Sequence, residues 1–358
     1  MPLRSSMFRS AFLTLVATCM ALPLTAGTST RTLTEEIPAQ GLVRIENLAG
    51  KVVLRSTPGD SIKVRAEVHA EGDSAAETER LLDAVRIARE GGAWVLTYPV
   101  DRYDAFVYPQ SGWGGNSSTK YRGERVRVSG KSWRSAPVLY VNLMIEVPRT
   151  GRLHVRNLVG DIAGESLAGE LTADTGSGDV WLKDFDGQLV ADTGSGTVTL
   201  QGVRGTSLRV DTGSGDVRAE DVEVERLEAD TGSGNVWIAN VSARWVEADT
   251  GSGDITLEDL EAERVLADTG SGNVLLTGDL SRAREIVADT GSGDVRILAG
   301  AGFEFDLDAD LGSGRVRVGY SDAELVRRGR EVVGARRGSG ATRISVDTGS
   351  GNCEVGPN

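Results

Sequence analysis

The residues most suggestive of chemistry are the aspartates of a recurring pentapeptide, Asp-Thr-Gly-Ser-Gly. Its eight copies begin at Asp174, Asp192, Asp211, Asp230, Asp249, Asp268, Asp289 and Asp347, and the variant Asp-Leu-Gly-Ser-Gly begins at Asp310. Asp-Thr-Gly is also the active-site triplet of aspartic proteases, in which two carboxylates share one proton. A repeated turn explains many copies at a spacing of mostly 19 residues, whereas a single catalytic dyad does not. The pattern therefore disfavours protease chemistry.

Calcium binding is the stronger chemical hypothesis for these aspartates. Glycine-rich Asp repeats in parallel β-rolls bind Ca²⁺ between turns, because this hard cation takes several oxygen ligands. Those rolls use a nine-residue unit, so nonspecific cation screening is the alternative, and the sequence favours it. No other cofactor is predicted. The candidate Ca²⁺ ligands are Asp174, Asp192, Asp211, Asp230, Asp249, Asp268 and Asp289.

The elements that position these aspartates are indicated by apolar residues that alternate with period two. Val236 and Ile238 follow one Gly-Ser-Gly, and Val246 and Ala248 precede the next. This pattern predicts two short strands per repeat, each with one apolar face. A single repeat cannot bury that face, but stacked repeats can. We therefore expect an all-β fold, a single-stranded parallel β-helix or solenoid of about ten 19-residue turns.

Within the pentapeptide, each residue type suggests a local role. We expect the glycines to allow positive φ and close chain approach at a corner, and the aspartate to accept an Asx-turn hydrogen bond from the N–H two residues on. Leu311 replaces Thr in the variant copy, which predicts that this side chain points inward. Stacked aspartates would form a like-charge ladder. The frequent Asp/Asn alternation after the second glycine would dilute repulsion in that neighbouring column.

The chain divides into three parts. Residues 1–26 are predicted to be an export signal, with Arg4 and Arg9, an apolar run, and a cleavage site after Ala26; lipidation at Cys19 is an alternative. Residues 27–150 are predicted to be an α+β cap with strands and one helix, from the capping box at Ser74 to about Glu90. Residues 151–358 are predicted to form the solenoid. No later segment is long enough to span a membrane.

Two insertions interrupt this plan. The segment 101–137 is rich in aromatic residues and is either a binding loop or a hairpin folded onto the cap, and we favour the hairpin. The segment 321–338 carries five arginines and is either a flap closing the far end, which we favour, or a basic contact for an acidic surface. The binding-loop candidates are Tyr103, Phe106, Tyr108, Trp113, Tyr121 and Trp133.

Composition limits the remaining possibilities. The net charge is −13, and residues 160–320 hold 32 acidic and 12 basic side chains, a balance of −20. An acidic body of this kind repels nucleic acid. The chain has only two histidines, which disfavours general-base and zinc chemistry. Once Cys19 is removed, Cys353 is the only cysteine, and its place in a Val/Ile column indicates a core residue.

Three segments together resemble a known bacterial family. They are Val-Arg-Ile-Glu-Asn-Leu-Ala-Gly at 43–50, Leu-His-Val-Arg-Asn-Leu-Val-Gly-Asp-Ile at 153–162, and Ile-Ser-Val-Asp-Thr-Gly-Ser-Gly at 344–351. With the repeated Thr-Gly-Ser-Gly-Asp-Val, the pattern resembles the adhesin-like family of unknown function, whose β-helical members are similar to autotransporter adhesin head domains. The resemblance implies no catalytic residues.

The sequence thus predicts a non-catalytic β-solenoid of the cell envelope, either periplasmic or at the cell surface or secreted. It would be an adhesin or binding scaffold for an unidentified envelope or surface component, a protein or a glycan. The first alternative is a structural periplasmic protein without a dedicated ligand. The second is a β-helix enzyme acting on polysaccharide, which would need carboxylates set apart from the ladder.

Overall fold

The computed structural model describes residues 28–109, 115–131 and 136–358, which consist almost entirely of strands. The predicted export signal 1–26 and Cys19 lie outside the described residues. The solenoid body is a set of long strands, each of which pairs in parallel with the next. Their bounds are β12 Ile162–Thr175, β13 Val180–Thr193, β14 Val198–Thr212, β15 Val217–Thr231, β16 Val236–Thr250 and β17 Ile255–Thr269.

Each turn of the body buries three short segments rather than the two predicted. In β15 the buried positions are Val217 and Ala219, then Val222 and Val224, and then 227, 229 and 231, with the alternation broken between the segments. Because side chains of a strand alternate between its faces, each break marks a change of direction that keeps the apolar side chains turned inward. The middle segment is the one that the sequence pattern did not indicate.

The first break in each turn is made by a residue with positive φ. Asn and Asp tolerate the left-handed region better than other non-glycine residues, and they dominate this column. The equivalent positions are Ser166, Asp184, Gly202, Asp221, Asn240 and Asp259, with φ between 50° and 69°.

The N-terminal cap covers the first turn. Its elements are β1 Ser29–Pro38, β2 Leu42–Ala49, β3 Val52–Thr57, β4 Ser61–Glu71, α1 Ala75–Ala84, β5 Ile87–Glu90, β6 Ala93–Leu96, β7 Ala105–Val107, β8 Asn116–Tyr121, β9 Glu124–Ser129, β10 Val138–Pro148 and β11 Arg152–Val159. β4 pairs antiparallel with both β10 and β1. β3 pairs in parallel with β12, and β2 pairs in parallel with β11, so these two strands continue the parallel stack.

The single helix of the described residues begins where its capping box predicts and ends earlier. Ser74 Oγ accepts the Glu77 N–H at 3.2 Å, but α1 ends at Ala84 and not near Glu90. The segment after it forms β5, which pairs with β6. Gly91 and Gly92 both have positive φ and therefore make a two-residue hairpin turn rather than a helix stop.

At the far end the stacking order differs from the chain order. The elements are β18 Val274–Gly278, a 3₁₀ turn Leu280–Arg282, β19 Glu285–Thr290, β20 Val295–Ala299, β21 Phe305–Leu311, β22 Val316–Val318, β23 Glu324–Arg328, β24 Glu331–Arg337, β25 Thr342–Thr348 and β26 Cys353–Pro357. β25 lies between β19 and β21, and β26 lies between β20 and β22. The C-terminal turn is thus inserted between two turns that precede it in sequence.

Candidate binding faces of the solenoid

The aspartates of the pentapeptides form one outward column along the stack, which we call the Asp ladder. The residues are paired rung to rung in the order Asp174, Asp192, Asp211, Asp230, Asp249, Asp268, Asp289, Asp347 and Asp310. Neighbouring strands lie about 4.8 Å apart, so each carboxylate has like charges on both sides.

Basic partners reach only the N-terminal part of the Asp ladder. Arg156 lies 3.4 Å from Asp174 and Arg209 lies 3.9 Å from Asp211. Within the described residues, the six rungs from Asp230 to Asp310 make no ion pair. Burial, followed by the neighbouring carboxylates, raises the pKa of Asp249 above its ordinary value, and the pKa values of Asp192 and Asp289 are raised for the same reasons.

The ladder brings all seven predicted calcium ligands into one column but does not gather them into a cage. In the part of the chain that the structure describes, no group of three or more His, Cys, Asp or Glu side chains is placed to hold a metal ion. Calcium tends to take six to eight oxygen ligands, and a single file of carboxylates offers each position only its two neighbours.

The predicted Asx turn at the ladder aspartate is wrong. The N–H of Gly194, two residues after Asp192, donates to the Thr175 carbonyl of the preceding turn at 3.0 Å, and Gly213 donates to Thr193 in the same way. This N–H is used in backbone hydrogen bonding between successive turns, so the aspartate carboxylate does not accept it and faces outward.

The corner glycines are required by close approach rather than by positive φ. Among the glycines of the complete pentapeptides and the variant copy, only Gly178 has positive φ. A Cβ on Gly196 would lie 1.8 Å from the Gly178 carbonyl oxygen, and one on Gly194 would lie 2.5 Å from the Gly176 oxygen. Successive corners therefore pack backbone against backbone, which excludes any side chain.

The threonine of the pentapeptide points inward, as predicted, and links one turn to the next. Thr250 is buried, its hydroxyl donates to the Gly234 carbonyl at 2.8 Å, and it accepts the Gly253 N–H at 3.2 Å. Asn157 and Asn47 occupy the equivalent positions in the two degenerate corners, and the Asn47 amide donates to Asn157 Oδ1 at 3.0 Å. Leu311 lies in the terminal layer.

The column after the second glycine is a hydrogen-bonded ladder, which we call the Asx column. Asp254 Oδ1 accepts the backbone N–H of Asn273 at 2.7 Å and its side-chain amide at 3.1 Å, and Asn273 Oδ1 accepts the Asp294 N–H at 3.0 Å. The alternation of Asp and Asn thus provides donors as well as diluting charge. Hydrogen bonds from Asn352 lower the pKa of Asp294.

The aromatic insertion packs into the cap where it is described. Phe106, Tyr108 and Tyr121 are buried, and Tyr103 donates from its hydroxyl to Glu77 Oε1 at 2.8 Å. The rings of Phe106 and Tyr121 pack against Tyr98 in the core of the cap, and Tyr103 is half-buried beside Phe106. This packing agrees with the favoured interpretation, a hairpin folded onto the cap, and leaves Phe106, Tyr108 and Tyr121 almost no exposed surface for a partner. Trp113 and Trp133 lie outside the described residues.

A tryptophan that the sequence did not single out lies on the same outward side as the Asp ladder. Arg226 and Arg264, on the turns before and after, place their guanidinium carbons 4.8 and 4.9 Å from the Trp245 ring centroid. The indole N–H donates to Glu247 at 3.2 Å, and Arg264 pairs with Glu285 at 2.6 Å. Both ring faces are covered, so this cluster is a satisfied surface network.

The arginine-rich insertion forms the hairpin β23–β24, which pairs with β21 at the far end. Arg337 anchors its base: this side chain lies 2.7 Å from Asp322, donates to the Phe303 carbonyl at 2.6 Å and stacks over Tyr320. Arg336 donates to the Ser339 carbonyl. Arg327, Arg328 and Arg330 remain around the tip without an ion pair within the described residues.

Cys353 is fully buried between Val295 and Val316 of the neighbouring layers. Burial raises the pKa of its thiol to about 12. This position fits the predicted core role.

Comparison with known proteins finds solved structures that are similar to this chain. Three solved structures align over nearly their whole length: candidate adhesins from Bacteroides fragilis (11% identity, 91% of this chain and 97% of that chain, TM-score 0.38) and Parabacteroides merdae (11%, 92% and 96%, 0.35), and a candidate lipid-binding protein from Parabacteroides distasonis (14%, 92% and 97%, 0.36). No curated protein matches the chain.

No helix in the described residues is both long and apolar enough to cross a membrane. The Toastrack DUF4097 family model matches residues 116–356, which is more than half of the chain and includes every copy of the pentapeptide. The adhesin-like family predicted from the three motifs is thereby confirmed. The chain belongs to the Toastrack DUF4097 family.

Proposed function

We propose that this protein is a non-catalytic binding scaffold of the bacterial cell envelope, periplasmic or at the cell surface. It presents the outward columns of its solenoid to a protein or glycan component. The observation that carries the proposal is the Asp ladder, in which six successive carboxylates from Asp230 to Asp310 face outward without an ion pair in the described residues. Identical groups repeated at one strand spacing suit a partner that is itself repetitive, because many weak contacts add as avidity.

The uniformity of the ladder also supports a non-catalytic role. A glycoside hydrolase needs two carboxylates whose environments push their pKa values apart, one as acid and one as base or nucleophile. The ladder aspartates instead occupy one equivalent position in successive turns, and the pKa values of Asp192, Asp230 and Asp249 shift in the same direction, upward, in each case mainly because of burial. The alternative of a structural periplasmic protein without a ligand fits the same fold and differs only in lacking a partner.

Binding of the purified chain to isolated envelope fractions and to a glycan array tests the proposal. The triple variant Asp230→Asn, Asp249→Asn and Asp268→Asn should lose binding. The matched control, Asp179→Asn, Asp216→Asn and Asp254→Asn, removes the same number of charges from the Asx column and should retain it.

Each other result assigns a different role. Equal binding by both variants would move the partner to another face, and no binding by the parent chain would favour the ligand-free structural protein. Shortening of a polysaccharide on the array would identify an enzyme. Cell fractionation with surface protease shaving tests the envelope location.

A further inference from the structure

The hairpin β23–β24 carries the exposed apolar side chains that stand out on this molecule. Leu325 is 44% exposed and Val326 is 50% exposed, and among the described residues no other large hydrophobic side chain is exposed. Every residue of β23, from Glu324 to Arg328, is exposed. Two adjacent aliphatic side chains on a strand that is open on both faces indicate a surface that becomes covered.

The strand β23 is also a free sheet edge. Along this side of the stack the pairing order is β25, β21, β24 and β23, and within the described residues β23 pairs only with β24. Its outer backbone N–H and C=O groups therefore point along the stack axis, away from the body. An unpaired edge of this kind is a template for strand addition.

The opposite end of the solenoid has an edge of another type. The edge strands of the cap are β1, β5 and β8, each of which pairs on one side only within the described residues. β1 is mostly polar and ends at Pro38, and none of the three carries an exposed large apolar side chain. Polar side chains and proline discourage edge pairing. The two ends therefore differ, and the feature that invites pairing belongs to β23.

The sequence of β23, Glu-Leu-Val-Arg-Arg, is self-complementary in an antiparallel arrangement centred on Val326. In that register Glu324 lies opposite Arg328 of the second copy, Leu325 lies opposite its Arg327, and Val326 lies opposite its own equivalent. Neither Glu324 nor Arg328 has an ion-pair partner among the described residues of its own chain. Opposite charges directly across an antiparallel pair stabilise it, and the twofold axis generates the pair twice.

The charge distribution favours this end-to-end contact over a side-by-side one. Residues 160–320 carry a balance of −20, so two solenoids placed flank to flank repel each other. The hairpin from 324 to 337 holds five arginines and two glutamates, a balance of +3, so an end-to-end contact brings together a much smaller like charge, which the two Glu324–Arg328 pairs oppose. Arg337 fixes the base of the hairpin through Asp322 and Tyr320, so the edge is held in place before a partner arrives.

We propose that two copies of this chain associate end to end, by antiparallel pairing of β23 with itself about a twofold axis at Val326. The result is a double-length solenoid whose two N-terminal caps lie at its outer ends. A partner-binding scaffold gains a second set of outward columns in this way, but the dimer does not depend on the function proposed above.

Sedimentation velocity on the full chain over a range of concentrations tests the proposal, with the charge-reversal variants as its specific readout. Glu324→Arg places like charges across the axis, as does Arg328→Glu, and each should weaken dimerisation by about tenfold or more. The double variant restores opposite charges and should recover the dimer. The control Arg149→Glu, an exposed reversal in the cap, should dimerise like the parent.

Three outcomes would overturn the proposal. The first is a parent chain that stays monomeric at every concentration, and the second is a dimer that neither single reversal weakens. The third is a monomer that co-sediments with phosphatidylglycerol vesicles and loses this binding when Arg327, Arg328 and Arg330 are replaced by Gln. That last result would assign the hairpin to a lipid surface instead.

Discussion

At the scale of single residues, the Asp ladder places a carboxylate where its charge is unfavourable. Burial and its neighbours raise the pKa of Asp249 in the folded chain, so the folded state holds this proton more tightly than the unfolded state does. The free energy of unfolding therefore falls as the pH rises from the ordinary value of 3.8 through the raised folded value, and it stays lower above it. At neutral pH the ionised carboxylate of Asp249 therefore lowers the stability of the fold.

Asp249→Asn should stabilise the protein at neutral pH. Removing one of two directly opposed like charges is worth about 0.2–1 kcal/mol per neighbour, which corresponds to a rise in melting temperature of about 1–4 °C. The gain should shrink as the pH is lowered towards 3.8, because both states of the parent then become protonated. Thermal melts at pH 7 and near pH 4 measure both effects.

The matched comparison is Asp294→Asn in the Asx column. Hydrogen bonds from Asn352 lower the pKa of Asp294, so its ionised form stabilises the fold above the unfolded pKa and this contribution is lost as the pH falls through the folded value. Asp294→Asn should therefore lower the melting temperature at pH 7. Stabilisation by both substitutions would mean that total charge matters and the column does not.

The buried thiol provides a residue-scale measure of order at the far end. Because burial raises the pKa of Cys353 to about 12, almost no thiolate is present at pH 8, and the side chain is also inaccessible. In the folded chain produced without residues 1–26, we expect Cys353 to react with an aromatic disulfide reagent only at the rate of local opening, and at once in denaturant. Rapid labelling of the folded chain would contradict the observed packing between Val295 and Val316.

At the scale of elements, the inserted C-terminal turn makes the last residues of the chain structurally central. β25 and β26 separate β19 and β20 from β21 and β22, so their removal strips hydrogen bonds from strands on both sides. Truncation after residue 338 should release residues 303–338 to protease while the body up to Thr290 stays protected. Limited proteolysis with mass spectrometry locates the cuts.

The control for this truncation is a replacement of hairpin residues 324–336 by a short Gly-Ser linker. It removes β23 and most of β24 but keeps the inserted turn, so residues 305–318 should stay protected. If instead both variants were digested equally, the inserted turn would hold the far end no more firmly than the hairpin does.

These elements differ in how far the sequence could predict them. The alternation of Val236, Ile238, Val246 and Ala248 indicated the solenoid, because buried side chains recur every second residue along a strand.

The middle segment of each turn was missed because its corner column mixes Ser166, Gly202 and Asp221, which share a backbone conformation and not a residue type. The inserted turn was missed because near-identical repeats carry no signal of their stacking order. Composition left two interpretations of the aromatic insertion, a binding loop and a hairpin folded onto the cap, and Phe106 and Tyr121 pack into the cap as the favoured hairpin predicts.

At the scale of the whole molecule, the balance of −20 in the body and the six ladder rungs without ion pairs predict a general response to salt. The Debye length is about 8–10 Å near physiological ionic strength. Repulsion between rungs two or more turns apart is therefore screened by any electrolyte, while nearest neighbours at about 4.8 Å are screened less. We expect the melting temperature to rise with NaCl.

Calcium distinguishes this screening from a specific site. Since no described group of three or more ligating side chains could hold a metal ion, CaCl₂ should raise the melting temperature no more than NaCl at matched ionic strength, and a chelator should leave it unchanged. The pair Asp249→Asn and Asp268→Asn interrupts the ladder and should respond less to either salt. A fall of several degrees on chelation, abolished in that double variant, would instead identify the ladder as a calcium site and would make its outward carboxylates structural ligands rather than a binding face.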